Sequence, residues 1–73
     1  MTLDEFTQVC SGLYMMGSVA LTPTTRFRDN DEFDSLIGFA MLSIIKENFS
    51  YDMPVSEFLK CNTTAELYAV ANK

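Results

Sequence analysis

The sequence predicts an all-α fold, a small four-helix bundle with three main helices, one short helix and a long loop between helices one and two. Two capping boxes, Thr2 with Glu5 and Thr63 with Glu66, mark helix starts near both ends of the chain. Between them, apolar residues recur at helical spacing. With 73 residues, 48% of them hydrophobic, the chain is expected to form a single soluble domain over residues 1–73.

The first helix is expected to begin after Thr2, whose hydroxyl can accept from the backbone amide of Glu5 while the Glu5 carboxylate accepts from the Thr2 amide. An apolar stripe follows at three- and four-residue spacing, which predicts one face against a core. Gly17 offers a left-handed end to this helix. The stripe consists of Leu3, Phe6, Cys10 and Leu13, with Val9 beside it.

The segment from Ser18 to Asp34 is predicted to be a long, partly ordered loop. It has no helical periodicity, and it contains Pro23 and a charged run over residues 26–32. Loops of this length are uncommon without a functional reason. Three large apolar side chains are expected to anchor it to the body of the domain: Leu21, Phe27 and Phe33.

The second helix is predicted to begin at Asp34 and Ser35, both good capping residues, and to run to Phe49, with Pro54 closing the segment that follows. Its core stripe is Met41, Leu42, Ile45 and Phe49. A short helical turn follows over residues 55–60. The last helix then begins after the second capping box and carries Leu67, Val70 and Ala71.

The second helix also has apolar residues on roughly the opposite face, namely Leu36, Phe39 and Ala40. A helix in so small a domain is not expected to be covered on every side. Phe39 is therefore predicted to be exposed for contact with a partner, since Ser43 lies one turn further along the same side. For Leu36, cover by the long loop and exposure remain equally open.

The charge balance, with 10 acidic side chains against 5 basic ones and a net charge of −5, excludes some classes of partner. An acidic chain repels phosphate backbones and anionic lipids, so neither nucleic acid nor membrane insertion is predicted. Arg26 and Arg28 are expected to pair with Asp29 or Asp31. The acidic run over residues 29–32 lacks the glycine and the final glutamate of an EF-hand, so no metal site is predicted.

The chain lacks histidine, which removes the imidazole base of Ser-His and Cys-His catalysis and the commonest metal ligand. So short a chain has no room for a deep catalytic cleft as well as a core, and we do not expect an enzyme. Cys10 and Cys61 are expected to be reduced and buried. Because the N-terminus does not read as a secretory signal, we expect a cytoplasmic protein.

The tripeptide Asp34-Ser35-Leu36 places a serine hydroxyl at the start of an apolar helix. Free backbone amides and the positive end of the helix dipole favour a negative group there. Ser35 could therefore carry a phosphate ester, or it could serve only as a helix cap.

Four parts of the chain carry a resemblance: the stretch from Phe27 to Leu36, the helix after it, Met53-Pro54, and the residues 61–64 before the last helix. Together they resemble the acyl carrier protein family. This resemblance covers nearly the whole chain. It implies that a separate phosphopantetheinyl transferase attaches a 4′-phosphopantetheine arm from coenzyme A to Ser35. An acyl group would then be carried as a thioester on the arm, and the chain would be a monomeric carrier rather than a catalyst.

The resemblance also implies roles for other residues. Asp34 matches the acidic residue that helps the transferase position its metal and cofactor. Acyl-loading enzymes and ketoacyl synthases or acyltransferases are the implied later partners. The expected partner-binding residues are Leu36, Ile37, Phe39, Ala40 and Ser43. The expected core residues, which could also line an acyl pocket, are Met41, Ile45, Phe49, Met53 and Cys61.

The chain departs from the family pattern in two places. An aromatic residue, Phe33, precedes Asp34-Ser35-Leu36, as in a subset of stand-alone bacterial carriers, and the second helix has only Glu47 as an acidic residue after its cap. We therefore expect partner binding that depends on apolar contact, in a specialised pathway such as polysaccharide or secondary-lipid modification. A peptidyl or aminoacyl carrier and an unmodified helical interaction module remain as alternatives.

Overall fold

The structure, a computed structural model, describes residues 1–14 and 21–72. These two ranges contain four α-helices, one short 3₁₀ helix over Phe27–Asp29 and no strand. The predicted all-α fold with three main helices and one short helix is confirmed. The α-helices are α1 (Leu3–Ser11), α2 (Ser35–Phe49), α3 (Val55–Phe58) and α4 (Thr64–Ala71).

Both predicted capping boxes are present. The Thr2 hydroxyl accepts from the Glu5 amide at 3.2 Å, and the Glu5 carboxylate accepts from the Thr2 amide at 2.8 Å. Thr63 and Glu66 form the same pair of bonds at the start of α4. The amide of Thr2 lowers the pKa of the Glu5 carboxyl, and the amides of Asn62 and Thr63 lower that of Glu66, because each donates a hydrogen bond to the carboxylate.

The first helix is shorter than the sequence predicted. It ends at Ser11, followed by turns over residues 12–14, and Gly17 lies outside the described residues. The Ser11 hydroxyl donates to the Thr7 carbonyl at 3.0 Å and accepts from the Leu21 amide at 3.0 Å, so it ties the returning loop to the last turn of α1. Val9 does not join the buried stripe, since 41% of its surface is exposed.

One end of the core is an aromatic cluster that we call the core triad: Phe6 of α1, Phe49 of α2 and Tyr68 of α4. The ring centroid of Phe49 lies 5.7 Å from that of Phe6 and 5.6 Å from that of Tyr68. Beside the triad, α1 and α4 are joined by a buried hydrogen bond of 2.7 Å between the hydroxyls of Thr7 and Thr64. The core triad therefore fixes three helices to one another.

The rest of the core comes from all four helices and from the loop. Cys10 and Cys61 are free and buried, as predicted, and burial raises the pKa of the Cys10 thiol to about 12. The remaining buried hydrophobic residues are Tyr14, Leu21, Phe27, Met41, Ile45, Met53, Phe58, Leu67 and Ala71. No helix in the described ranges has both the length and the apolar character that crossing a membrane requires.

The loop before α2 is held by backbone bonds as well as by its apolar anchors. Leu21 and Phe27 are buried and Phe33 is partly buried. The Phe27 amide donates to the carbonyl of Asn62 at 3.0 Å, and its carbonyl accepts from the Tyr14 hydroxyl at 2.8 Å. Phe27 is therefore positioned by Tyr14, which follows α1, and by the segment before α4.

Candidate functional site

Ser35 is the first residue of α2, and Asp34, not Ser35, is the helix cap. Asp34 has extended backbone angles, and its carboxylate accepts from the Ile37 amide at 3.0 Å. Ser35 is exposed, and its hydroxyl has no hydrogen-bond partner among the described residues. Because Asp34 performs the capping, the Ser35 hydroxyl is available for another role.

The start of α2 favours a negatively charged group. The Asp34 carboxylate accepts a hydrogen bond from the Ile37 amide, and the Asp34 backbone carbonyl accepts one from the Gly38 amide, at 3.0 Å each. The amides of Ser35 and Leu36 therefore remain unpaired within the described residues, at the positive end of a 15-residue helix. A phosphate on the Ser35 oxygen would lie beside these amides.

Ser35 borders an open, mainly apolar cleft of about 330 Å³ between α2, α3 and the end of the loop, which we call the Ser35 cleft. Two rings of its wall pack close to α2 at Gly38. A Cβ atom on Gly38 would make ordinary contacts with them, at 3.4 Å from the ring of Phe58 and 3.5 Å from that of Phe33. The lining residues are Arg28, Phe33, Asp34, Ser35, Gly38, Phe39, Leu42, Val55, Phe58 and Leu59.

Arg28 corrects the prediction that both loop arginines pair with acidic neighbours. Arg26 does pair with Asp29, at 2.9 Å. Arg28 instead turns inward, where its Nε donates to the carbonyl of Cys61 at 2.9 Å and its Nη2 donates to the carbonyl of Phe58. Backbone carbonyls at the end of α3 therefore replace the expected carboxylate.

Three phenylalanine rings surround the guanidinium of Arg28. Its Cζ lies 4.6 Å from the ring centroid of Phe58, 5.2 Å from that of Phe27 and 5.6 Å from that of Phe33. The rings also contact one another, with centroids 5.5 Å apart for Phe27 and Phe33 and 5.9 Å apart for Phe27 and Phe58. We call the three phenylalanines that surround Arg28 the Arg28 triad. It joins the loop to the start of α2 and to α3.

Large apolar side chains surround the mouth of the Ser35 cleft. Phe39 is 60% exposed, in agreement with its predicted exposure, and Leu36 is 77% exposed, so the loop does not cover it. Val55 and Leu59 of the α3 region, which sequence reasoning missed, are 53% and 62% exposed. Their four-residue spacing after Pro54 was the available signal. Of the other predicted partner-binding residues, Ser43 is exposed, and Ile37 and Ala40 are partly buried.

The residues predicted as core and acyl-pocket candidates do not line the Ser35 cleft. Met41, Ile45, Met53 and Cys61 are buried in the core, and Phe49 is partly buried against it. The wall nearest Ser35 comes instead from the Arg28 triad, Leu42 and the α3 region. The sequence did not indicate this, because a buried side chain and one that lines a cleft follow the same apolar spacing.

Residues 4–71 match the protein family described as the phosphopantetheine attachment site. The chain belongs to this family. It is therefore a carrier rather than an enzyme, and it bears a covalent 4′-phosphopantetheine group added by a phosphopantetheinyl transferase. No curated protein and no solved structure matches the chain.

Family membership favours the carrier prediction over the unmodified interaction module. The site also fits the arm, whose thiol supplies the thioester linkage when it is bound. The Ser35 hydroxyl is exposed and lacks a partner among the described residues, the neighbouring amides suit a phosphate, and the apolar cleft begins at the same residue.

Proposed function

We propose that the chain is an acyl carrier whose 4′-phosphopantetheine arm is attached to Ser35. The observation that supports this most directly is the exposed hydroxyl of Ser35, unpaired among the described residues, at the first position of α2 and at the edge of an apolar cleft. During loading, the Ser35 oxygen would bond to the phosphorus of coenzyme A next to the pantetheine, and adenosine 3′,5′-bisphosphate would leave as the serine proton is lost.

Different residues around Ser35 would have different roles in the carrier. Asp34 holds the first turn of α2 through the Ile37 amide and so fixes the direction of the Ser35 side chain. The exposed Leu36 and Phe39 would contact partner enzymes, and the flexible arm would let one cargo visit several active sites at high effective concentration. The apolar lining of the Ser35 cleft supports acyl rather than aminoacyl cargo.

The surface around Ser35 supports a specialised role. Leu36, Phe39, Val55 and Leu59 present apolar surface, and after the Asp34 cap the only acidic residue of α2 is Glu47. Partner binding would then change little with salt, unlike binding steered by rows of charge. We place this monomeric, single-domain carrier in the cytoplasm, in a pathway that modifies a polysaccharide or a secondary lipid.

The attachment site is tested by intact mass after incubation with coenzyme A, magnesium and a broad-specificity phosphopantetheinyl transferase. Wild-type protein is expected to gain a single pantetheine-sized mass, and Ser35→Ala none. Ser56→Ala is the matched control, since Ser56 is also an exposed serine in the first turn of a helix, α3. Addition to Ser35→Ala, or none to wild type with two different transferases, would contradict the proposal.

The cargo class is tested on protein purified from its natural host. Hydroxylamine cleaves thioesters and converts the released cargo to a hydroxamate, which mass spectrometry identifies. The hydroxamate of an acid without an α-amino group is expected. An aminoacyl hydroxamate would instead favour the peptidyl carrier.

A further inference from the structure

Arg28 is a partly buried cation that forms no ion pair with an acidic side chain among the described residues. The exposed cations Arg26 and Lys46 pair with Asp29 and Asp52, at 2.9 and 3.2 Å. Arg28, which is less exposed than either, forms no ion pair within residues 1–14 and 21–72. A buried charge is stable only when other groups compensate for the lost hydration, so Arg28 is the position where an anion would gain most.

The neighbours of Arg28 compensate for only part of its charge. Two backbone carbonyls, of Cys61 and Phe58, accept from its Nε and Nη2. The three rings of the Arg28 triad attract a cation through their faces but supply no negative charge. A guanidinium has more N–H donors than these two carbonyls occupy, and its remaining donors suit a carboxylate.

Arg28 and Ser35 both line the Ser35 cleft. Most of the wall between them is apolar, with Phe33, Leu42 and Phe58 among its residues. Asp34 is the other charged residue of this wall, and its carboxylate is already bound to the Ile37 amide. A chain that starts at Ser35 and enters the cleft therefore meets apolar side chains and one cation.

We propose that the Ser35 cleft selects a short acyl chain that ends in a carboxylate, and that the N–H groups of Arg28 bind this carboxylate. The inference rests on the proposed function, because the acyl chain reaches the cleft on the arm at Ser35. The cleft of about 330 Å³ has room for roughly ten groups the size of a water molecule, which matches a short acyl chain. The carboxylate supplies the charge that Arg28 lacks, and the methylene groups cover the phenylalanine rings.

The test compares three acyl chains of equal length on the wild-type protein. A phosphopantetheinyl transferase loads the arm from the coenzyme A thioesters of glutarate, of its mono-amide and of pentanoate, which serves as the alkyl reference. Cleavage of each thioester by hydroxylamine is then timed. Each rate is divided by that of the same thioester on free coenzyme A, because a terminal carboxylate or amide can itself attack the thioester. After this division, the glutaryl thioester is expected to be cleaved about threefold to tenfold more slowly than the mono-amide thioester, because only the former bears the charge that Arg28 binds. Equal divided rates for these two chains would overturn the inference.

A second measurement identifies the anion at Arg28. The Nε–H resonance of Arg28 is recorded by NMR for the unmodified protein, for the protein with the bare arm and for the glutaryl-loaded protein. It is expected to shift on glutaryl loading and to stay in place with the bare arm. A full shift with the bare arm would assign the bound oxyanion to the phosphate of the arm and would overturn the assignment to cargo.

Variants separate Arg28 from its surroundings. Arg28→Gln is expected to remove the difference between the glutaryl and mono-amide thioesters, Arg28→Lys to retain part of it, and the control Arg26→Gln to retain all of it. Circular dichroism identifies a variant that has failed to fold, and the wild-type comparison of the three chains then decides alone. If intact mass shows no arm on wild type, the proposed function fails with the inference. If the arm is present and the divided rates are equal, the inference fails by itself.

Discussion

The core triad and the Arg28 triad lie at the two ends of α2, and they differ in what surrounds them. Phe6, Phe49 and Tyr68 pack against one another among buried apolar side chains, next to a satisfied pair of threonine hydroxyls. The Arg28 triad packs around a cation and forms part of the wall of an open cleft. One cluster lies in the closed core, and the other lies beside Ser35, the proposed attachment residue.

This difference shows that aromatic content does not separate a core from a site. Ring centroids within the core triad lie 5.6 to 6.4 Å apart, and that of Phe27 lies 5.5 Å from Phe33 and 5.9 Å from Phe58. The glycine at position 38, the inward arginine at position 28 and the exposed apolar residues at the cleft mouth distinguish the second. Substitutions at the two ends of α2 should therefore affect stability and carrier function separately.

The largest effect is expected from Phe6→Ala, which removes a fully buried ring of the core triad. The free energy of unfolding is expected to fall by about 3–5 kcal/mol, because the ring leaves a cavity that the helices cannot close. Phe39→Ala, the matched change at the exposed end of α2, is expected to stay within about 0.5 kcal/mol of wild type. Urea unfolding measures both. A similar loss for both variants would mean that Phe39 is covered.

The next effect concerns the buried bond between Thr7 and Thr64. Each single valine substitution leaves one hydroxyl buried without a partner and is expected to cost about 1–3 kcal/mol. The double variant is expected to cost less than the sum of the two. A double-mutant cycle in urea checks this, and additive losses would show that the two hydroxyls do not interact.

A smaller effect is expected at the start of α2, where the Asp34 cap and the proposed attachment residue Ser35 are neighbours. Asp34→Ala removes the bond to the Ile37 amide and is expected to destabilise the fold by about 1 kcal/mol. Ser35→Ala is expected to change the free energy of unfolding by only about 0.3 kcal/mol, because the Ser35 hydroxyl has no partner among the described residues. Thermal melts measure the loss of stability in both variants, and equal losses would show that Ser35 shares the capping.

The smallest effect is a dependence on pH at the capping box of α4. The amides of Asn62 and Thr63 lower the pKa of Glu66 in the folded chain below its unfolded value of about 4.3. Glu66 therefore adds stability above that pH, and this contribution is lost as the pH falls through the folded pKa. Between pH 7 and pH 3, the melting temperature of Glu66→Gln is expected to fall less than that of wild type. The control is Asp31→Asn, at an exposed position, which is expected to leave the wild-type profile unchanged.

Several features were predictable because neighbouring residues determine them. The two capping boxes and the start of α2 depend on side-chain bonds to backbone within about one turn, so their residue types identify them. The end of α1 was not predictable in this way. It depends on a bond from Leu21 to the Ser11 hydroxyl, across 10 positions of the chain.

The sequence by itself determined the helical segments, the anchors of the loop and, through family resemblance, Ser35 as the expected attachment residue. Only the tertiary structure decided where Arg28 points and which side chains line the Ser35 cleft. Arg28 reaches carbonyls 30 and 33 positions away, and a count of nearby acids could not reveal partners so distant. Helical spacing indicates which residues share a face of a helix. Whether that face is buried depends on which distant segments of the chain pack against it.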